Sequence, residues 1–236
     1  FKGNLVMSDG TEIDLSRVIS FKGIPYMRNV PNFDGVISPG EWNTAWKLNI
    51  GKNGDGKYVK LTGDDYSGDD DLSGEVYLGW DKKNFYLAAE VKDETFETDP
   101  DGRLWAGDSI QFAIAFEKDI AAARTEVGFG LDKNLKPSVG RTLFMGSEDA
   151  VSFEGYELEI KRDEDKKLTV YEAKFPWDVL IPSNVKISQG ETMYISFLVN
   201  ENDEGTRRGW VKCGDGIDTV KDPSKYNELH LLKPRN

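Results

Sequence analysis

The segment 104–116, "LWAGDSIQFAIAF", contains the pattern that decides the fold. From Ile110 to Phe116, large apolar residues alternate with Gln111 and two alanines, which is the two-residue period of a β-strand with one face in a core. The other face then carries only small side chains and one amide. Trp105 precedes the strand, among residues that are typical of a loop. The segment therefore predicts a strand with a nearly bare outer face and an indole at its rim.

A second segment, "TEVGFGL" at 125–131, has the same alternation, with apolar residues on one side and a glutamate and two glycines on the other. If the two strands lie in one sheet, their combined outer face contains Gln111, Ala113, Ala115, Glu126, Gly128 and Gly130. Glycine weakens a strand, so alternate glycines indicate that another group approaches the backbone closely. Either a flat ligand lies on this face, or another strand or loop covers it. We favour the ligand and predict an exposed, shallow binding face.

Further segments with strand patterns are separated by turn signals, and they lie at 74–80, 85–91, 156–161, 168–175, 194–200, 209–213 and 229–232. Helix signals are restricted to 117–124 and 176–180, the second of which begins with a proline that the first turn of a helix permits. Many short strands with few helical turns predict an all-β protein, an antiparallel β-sandwich of the jelly-roll type. We assign Trp46 and Trp80 to its core and Trp177 to its edge.

A chain of 236 residues can bury one sizeable core. We assign residues 31–236 to the sandwich, and residues 1–30 to an N-terminal extension or to the tail of a preceding domain. The sequence begins without an initiator methionine and without the basic start and apolar core of a signal peptide. We therefore expect this chain to be a fragment of a longer polypeptide.

The net charge of −12, from 42 acidic and 30 basic residues, argues against two classes of partner. Nucleic acid requires a basic stripe, which the sequence lacks, and an anionic membrane surface is disfavoured for the same reason. No apolar run approaches the roughly 20 residues of a membrane helix. We predict neither nucleic-acid binding nor membrane insertion.

The chain contains one cysteine, Cys213, and one histidine, His230. A single cysteine excludes an intrachain disulfide and a cysteine-based zinc site. His230 lies in a short alternating apolar run, which is typical of a sheet residue rather than of a catalytic or metal-binding group. No Ser-His or Cys-His catalytic set is therefore expected.

The side chains at the predicted face suit a sugar. An indole stacks on the apolar C–H face of a sugar ring, while carboxylates, amides and guanidinium groups bind its hydroxyls. The segment 200–210, "NENDEGTRRGW", supplies more groups of these kinds, including Asn200. The predicted carbohydrate-binding residues are Trp105, Gln111, Glu126, Asn202, Arg207, Arg208 and Trp210.

Six blocks in a fixed order make the chain resemble the family 9 carbohydrate-binding modules over roughly residues 33 to 233. The blocks read "DGVISPGEWNTAW", "GWDKKNFYLAAEVKDETF", "LWAGDSIQFAI", "YEAKFPWDVL", "SFLVNENDEGTRRGW" and "KDPSKYNELHLL". Members of this family are calcium-containing β-sandwiches attached to bacterial xylanases and cell-surface glycanases. The resemblance implies that Trp105 is the first sugar-stacking tryptophan and that Gln111 occupies the position of a sugar-binding carboxylate.

The sequence departs from the family pattern at two positions. Close members have a second stacking tryptophan where this chain has residues 219–221, "TVK", and an arginine on the strand near Gly128 is absent here. These departures place a sandwich of two tryptophans around a chain-end sugar in doubt. The residues that could substitute are Trp210 for the tryptophan and Arg207 or Arg208 for the arginine.

Two acidic loops, 63–75 and 92–108, are candidates for binding a cation. The first contains six carboxylates in thirteen residues, and neither loop has the spacing of an EF-hand. Such loops are either solvated or paired with a hard cation. The resemblance implies at least one structural calcium, with Asp93 as the first candidate ligand and Asp71 as the second.

The resemblance implies a non-catalytic module that targets a larger secreted or cell-surface glycanase to plant-type polysaccharide of the xylan or glucan class. The expected partners are a polysaccharide or oligosaccharide and the other domains of the parent polypeptide, and the expected location is extracellular. A competing hypothesis is a glycoside-active enzyme domain, although Glu126 beside an amide is a poor acid and base pair. The remaining hypotheses are a structural spacer of a cell-surface protein and a haem-binding sandwich that would use His230 and Met145.

Overall fold

The computed structural model describes residues 22–51, 54–62, 66–119, 123–144, 154–181, 185–203, 205–218 and 221–233, with two short backbone segments at 4–6 and 12–14. The side chains of 141–144 lie outside this description. Strands are numbered along the chain. The first two, β1 (Asn4–Val6) and β2 (Glu12–Asp14), pair with each other as a separate antiparallel hairpin.

Two sheets form the rest of the fold. The smaller sheet has the order β11-β12-β7-β6-β4 and consists of β4 (Trp46–Asn49), β6 (Leu72–Trp80), β7 (Asn84–Asp93), β11 (Glu157–Asp163) and β12 (Leu168–Pro176). The larger sheet consists of β3 (Gly23–Ile24), β5 (Lys57–Lys60), β8 (Ser109–Ala115), β9 (Arg124–Leu131), β10 (Pro137–Phe144), β13 (Thr192–Asp203), β14 (Thr206–Cys213) and β15 (Asn227–Leu231). Its main path runs β10-β9-β8-β13-β14-β5, and β15 pairs with β13. All of these pairings are antiparallel except that of β3 with β15.

The inner faces of the two sheets enclose the main core. Phe112 of β8 lies 5.6 Å from Phe85 of β7 and 5.2 Å from Phe175 of β12, measured between ring centroids, and Phe129 of β9 lies 6.0 Å from Phe175. The apolar faces that alternation predicted for β8 and β9 therefore point inward. The predicted antiparallel β-sandwich is confirmed.

The helical content is small, as predicted. It comprises α1 (Trp177–Leu180) and two short 3-10 helices, Leu104–Ala106 and Pro223–Lys225. The helix expected over 117–124 falls partly outside the described residues. Trp80 and Trp177 are buried, and Trp46 packs against the same core. None of the helices among the described residues is long and apolar enough to cross a membrane.

The sandwich begins earlier than residue 31, the start that the sequence predicted. β3 pairs with β15, Tyr26 forms a bridge with Trp80, and Met27 is buried on the outer side of the smaller sheet. These contacts make residues 23–27 part of the sandwich rather than of a preceding segment. The alternation analysis also missed β4, β5 and β10.

Candidate functional site

Trp105 lies on the 3-10 helix Leu104–Ala106, just before β8, and 44% of its surface is exposed. Two side chains hold this turn from the larger sheet. Ser109 Oγ donates to the carbonyl of Leu104 (2.5 Å), and Asn202 Nδ2 donates to the carbonyl of Ala106 (2.8 Å). The indole is therefore an exposed ring on a backbone that the sheet fixes.

The loop before Trp105 is braced by buried carboxylates. Asp99 accepts hydrogen bonds from Nε (3.1 Å) and Nη2 (2.9 Å) of Arg103, and this pairing lowers the pKa of Asp99. Asp108 accepts from the backbone N–H groups of Glu97 (2.6 Å) and Asn202 (2.7 Å). A braced loop presents a ring without the entropic cost of ordering it on binding.

The outer face of the larger sheet begins beside this turn. In the pairing of β8 with β9, Gln111 lies opposite Gly128 and Ala113 lies opposite Glu126, so the predicted residues share one sheet and one face. Asn200 Nδ2 donates to Ser109 Oγ (2.9 Å) and Gln111 Oε1 (3.2 Å), and Gln111 Nε2 lies 3.4 Å from Glu126 Oε1. A continuous polar network therefore extends from the Trp105 turn across three strands.

The predicted exposure of the glycine and alanine face is wrong. Ala113 and Ala115 are fully buried, and they pack with Ile217 and Tyr226 of the segment that follows β14. Position 130 requires a glycine because of the neighbouring strand. A Cβ atom there would lie 2.9 Å from Ser109 Cβ and 3.2 Å from the carbonyl oxygen of Asp108. The alternative that a loop covers these residues is therefore correct for the two alanines.

Gln111 and Glu126 are also buried, with 6% and 2% of their surfaces exposed, and this corrects the prediction that they lie open to a ligand. Lys221 Nζ donates to Glu126 Oε1 (2.6 Å) and to the carbonyl of Ile217. Lys221 thus neutralises the carboxylate that the sequence assigned to sugar hydroxyls. Gln111 and Glu126 form the floor of the face rather than its open surface.

Trp210 is 4% exposed, which contradicts the exposure expected for a second stacking ring. It packs with Ala113, Leu198, Ile217 and Tyr226 under the same loop. The guanidinium carbon of Arg207 lies 4.2 Å from the ring centroid of Trp210 and 5.9 Å from that of Trp105. Arg207 therefore lies between the two indoles, and it is the predicted residue whose charge faces Trp105.

Arg208, the next residue, is on the other side of the strand. It lines a cavity of about 400 Å³ together with Tyr58, Tyr66, Asp71, Glu201 and Asp203. Successive side chains of a strand point to opposite faces, so Arg207 and Arg208 cannot serve one site. Arg208 is therefore not part of the surface around Trp105. Asn202 is buried and donates to the carbonyl of Ala106, so it positions the turn rather than contacting a ligand.

Two groups of carboxylates meet at this end of the sandwich. Asp93, Asp108 and Glu201 form one group, and Asp71, Glu201 and Asp203 form the other, with ligand atoms within 4.8 Å of one another in each. Both residues predicted as calcium ligands, Asp93 and Asp71, are members. Glu201, which the groups share, was not predicted.

Burial and mutual repulsion disfavour the charged forms of these acids. Burial, followed by the nearby carboxylates of Asp93, Asp203 and Asp71, raises the pKa of Glu201 to about 10. Burial also raises the pKa of Asp93 and of Asp108. Neither carboxylate oxygen of Glu201 has a hydrogen-bond partner among the described residues. This set of hard oxygen donors suits a cation such as calcium.

The sequence of this chain matches a known protein family. The model of the family described as "Carbohydrate family 9 binding domain-like" matches residues 33–233. No match is found among curated proteins.

Solved structures share the fold. A family 9 carbohydrate-binding module from Caldicellulosiruptor kristjanssonii in complex with cellotriose is 19% identical, with a TM-score of 0.63 over 92% of this chain and 95% of that chain. The glucose complex of a module from the same organism has a TM-score of 0.62 at 19% identity, over 91% and 97% of the chains. A putative carbohydrate-binding protein from Bacteroides uniformis has a TM-score of 0.57 at 12% identity, over 90% and 98%. The structural likeness establishes the fold, and the family match over most of the chain establishes that this protein belongs to the family 9 carbohydrate-binding modules.

Proposed function

We propose that this module binds plant-type polysaccharide of the xylan or glucan class by stacking one sugar ring on Trp105. It would act without catalysis and would target a larger secreted or cell-surface glycanase, outside the cell, to its substrate. The observation that carries the proposal is the exposed indole of Trp105 on a braced turn, next to a polar network. The buried indoles are committed to packing, whereas Trp105 is 44% exposed.

The related modules support the choice of ligand class, since two solved family 9 structures contain cellotriose and glucose. Oligosaccharides with an apolar ring face fit an indole. Hydrolysis is not proposed, because Glu126 is bonded to Lys221 and its neighbour Gln111 is an amide. Such a pair lacks the two free carboxylates that glycoside hydrolysis requires.

We further propose that calcium occupies the carboxylate groups around Glu201. Asp93, Asp108 and Glu201 would hold one ion, and Asp71 and Asp203 would extend the site toward the cavity. The buried and unpartnered oxygens of Glu201 fit this role. Bound calcium would supply positive charge that neutralises the group and, through Asp108, would brace the loop that carries Trp105.

The binding proposal is tested by calorimetric titration of the module with xylo- and cello-oligosaccharides, for the parent and for Trp105→Ala. Loss of a stacking aromatic is expected to cost about 1–3 kcal/mol, which is about a fivefold to 150-fold loss of affinity. Trp105→Phe retains a ring and should recover part of the affinity. Leu135→Ala removes another exposed apolar side chain and serves as the control.

Two results would contradict the proposal. One is unchanged affinity in Trp105→Ala. The other is sustained hydrolysis of xylan, glucan or chromogenic glycosides by the parent that is lost in Glu126→Gln. That result would make the protein an enzyme.

A further inference from the structure

Among the described residues, the guanidinium of Arg207 forms no ion pair, although the carboxylate of Asp218 acts on it electrostatically. Its buried Nε atom has no hydrogen-bond acceptor among those residues. Burial lowers the pKa of Arg207 to about 10, opposed by the carboxylate of Asp218, so the group remains charged at neutral pH. Asp218 is itself bonded to Lys212 Nζ at 2.7 Å.

The neighbouring cations are neutralised. Arg103, whose guanidinium carbon lies 5.5 Å from the ring centroid of Trp105, is paired with Asp99 at 2.9 Å. Lys221 is paired with Glu126 at 2.6 Å. Arg207 therefore differs from these residues, because it is half-buried against two indoles and forms no ion pair with any residue that the structure describes.

Stacking on Trp210 restricts the orientation of the guanidinium. A planar guanidinium that is fixed by its face presents its N–H groups along its edge, in the fork geometry that matches a carboxylate. A sugar ring on Trp105 would lie within reach of this edge, because the Arg207 guanidinium carbon is 5.9 Å from that indole. Sugars of the uronic acid class carry a carboxylate on the ring.

We propose that Arg207 makes this module selective for a uronic acid residue, whose ring stacks on Trp105 and whose carboxylate binds the guanidinium. This inference rests on the proposed function, since it specifies the sugar at the same surface. The net charge of −12 opposes an acidic glycan at long range. That repulsion is screened beyond the Debye length of about 8 Å at physiological ionic strength, whereas the contact with Arg207 is not.

The test compares three oligosaccharides of one backbone: a glucuronic-acid-substituted xylo-oligosaccharide, its neutral methyl ester, and the unsubstituted form. We expect the parent to bind the acid about tenfold or more tighter than the ester, as a charge-assisted hydrogen bond would give. Arg207→Gln should abolish this preference, and Arg207→Lys should keep part of it. Lys166→Gln removes one charge from an exposed residue in the turn between β11 and β12 and should keep the preference fully.

The outcomes separate the two proposals. If the parent binds the acid and the ester equally and binding still depends on Trp105, the proposed selectivity for uronic acid is wrong and the proposed carbohydrate binding stands. A preference that persists in folded Arg207→Gln, as judged by its melting temperature, would also overturn the role of Arg207. Absence of binding to all three sugars and to neutral oligosaccharides would overturn both.

Discussion

The acidic groups around Glu201 and the surface around Trp105 are built from the same strands but face in opposite directions. On β14, Arg208 lines the acidic cavity, whereas Arg207 lies between the two indoles. On β13, Glu201 joins the buried carboxylates, whereas Asn200 belongs to the outer polar network. One region concentrates like charges in the interior, and the other leaves a ring open to solvent. We therefore expect the first region to respond to a cation, and the exposed ring of the second region to control sugar binding while the indole buried beside it contributes to stability.

The largest effect is expected when the buried indole of the outer face is removed. Trp210→Ala should lower the free energy of unfolding by about 3–5 kcal/mol, because it empties the space beneath the loop that carries Ile217. Chemical denaturation measures this loss. A stability within about 0.5 kcal/mol of the parent would contradict the packing role and restore Trp210 as an exposed binding residue.

Calcium should have the next largest effect. At a concentration 100 times its dissociation constant, an ion that binds only the folded state stabilises it by about 2.7 kcal/mol. Melting curves with calcium and with a chelator measure this shift, which is expected to be about 5–10 °C for a chain of this size.

A variant makes the calcium test specific. Glu201→Gln should remove the response to calcium, and in chelator it should be no less stable than the parent, since the amide replaces a buried acid among like charges. Glu228→Gln, at an exposed ion pair, should respond to calcium as the parent does. An identical response of the parent in calcium and in chelator would refute a structural ion.

The corrected assignment of the alanine face leads to a third prediction. Ala113→Leu should destabilise the protein by about 1–3 kcal/mol, because Ala113 is fully buried in the cluster that contains Ile217 and Tyr226. If Ala113→Leu instead left the unfolding free energy unchanged and blocked sugar binding, a ligand rather than the loop would cover Ala113.

The smallest expected effect is the coupling between the two regions. Asp108 belongs to a carboxylate group and also accepts hydrogen bonds from Glu97 and Asn202, which hold the Trp105 loop. Removal of calcium should therefore weaken sugar binding several-fold while the module remains folded. Glu201→Gln should bind sugar with this weaker affinity even when calcium is present. Equal affinities with and without calcium would show that the two regions are independent.

Much of the fold could be predicted because alternation records burial directly. The apolar faces of β8 and β9 point into the core as their sequences require. The missed strands are short or lie at an edge: β4 and β5 have four residues each, and β10 contains a proline and a glycine. Their pairing depends on neighbouring strands rather than on their own pattern.

The site was predicted less completely, for a physical reason. Periodicity correctly gave Gln111 and Ala113 an outward direction, but it carries no information about which distant segment covers a face. Ile217 and Tyr226 pack with the alanines, and Lys221 supplies the counter-ion of Glu126. Glu201 was missed because its segment also contains asparagine and arginine, which suggested sugar binding, whereas its carboxylate lies with those of Asp93 and Asp108.

The most direct test of sugar stacking measures indole oxidation by N-bromosuccinimide, with each tryptophan quantified by peptide mass mapping. Trp105 is 44% exposed, Trp46 is partly buried, and Trp42, Trp80, Trp177 and Trp210 are each exposed by 5% or less, so Trp105 should react first. A saturating oligosaccharide should protect Trp105 and leave the slower reactions of the others unchanged. If the sugar binds but Trp105 is oxidised at the same rate, the ring does not lie on Trp105 and the central claim is wrong.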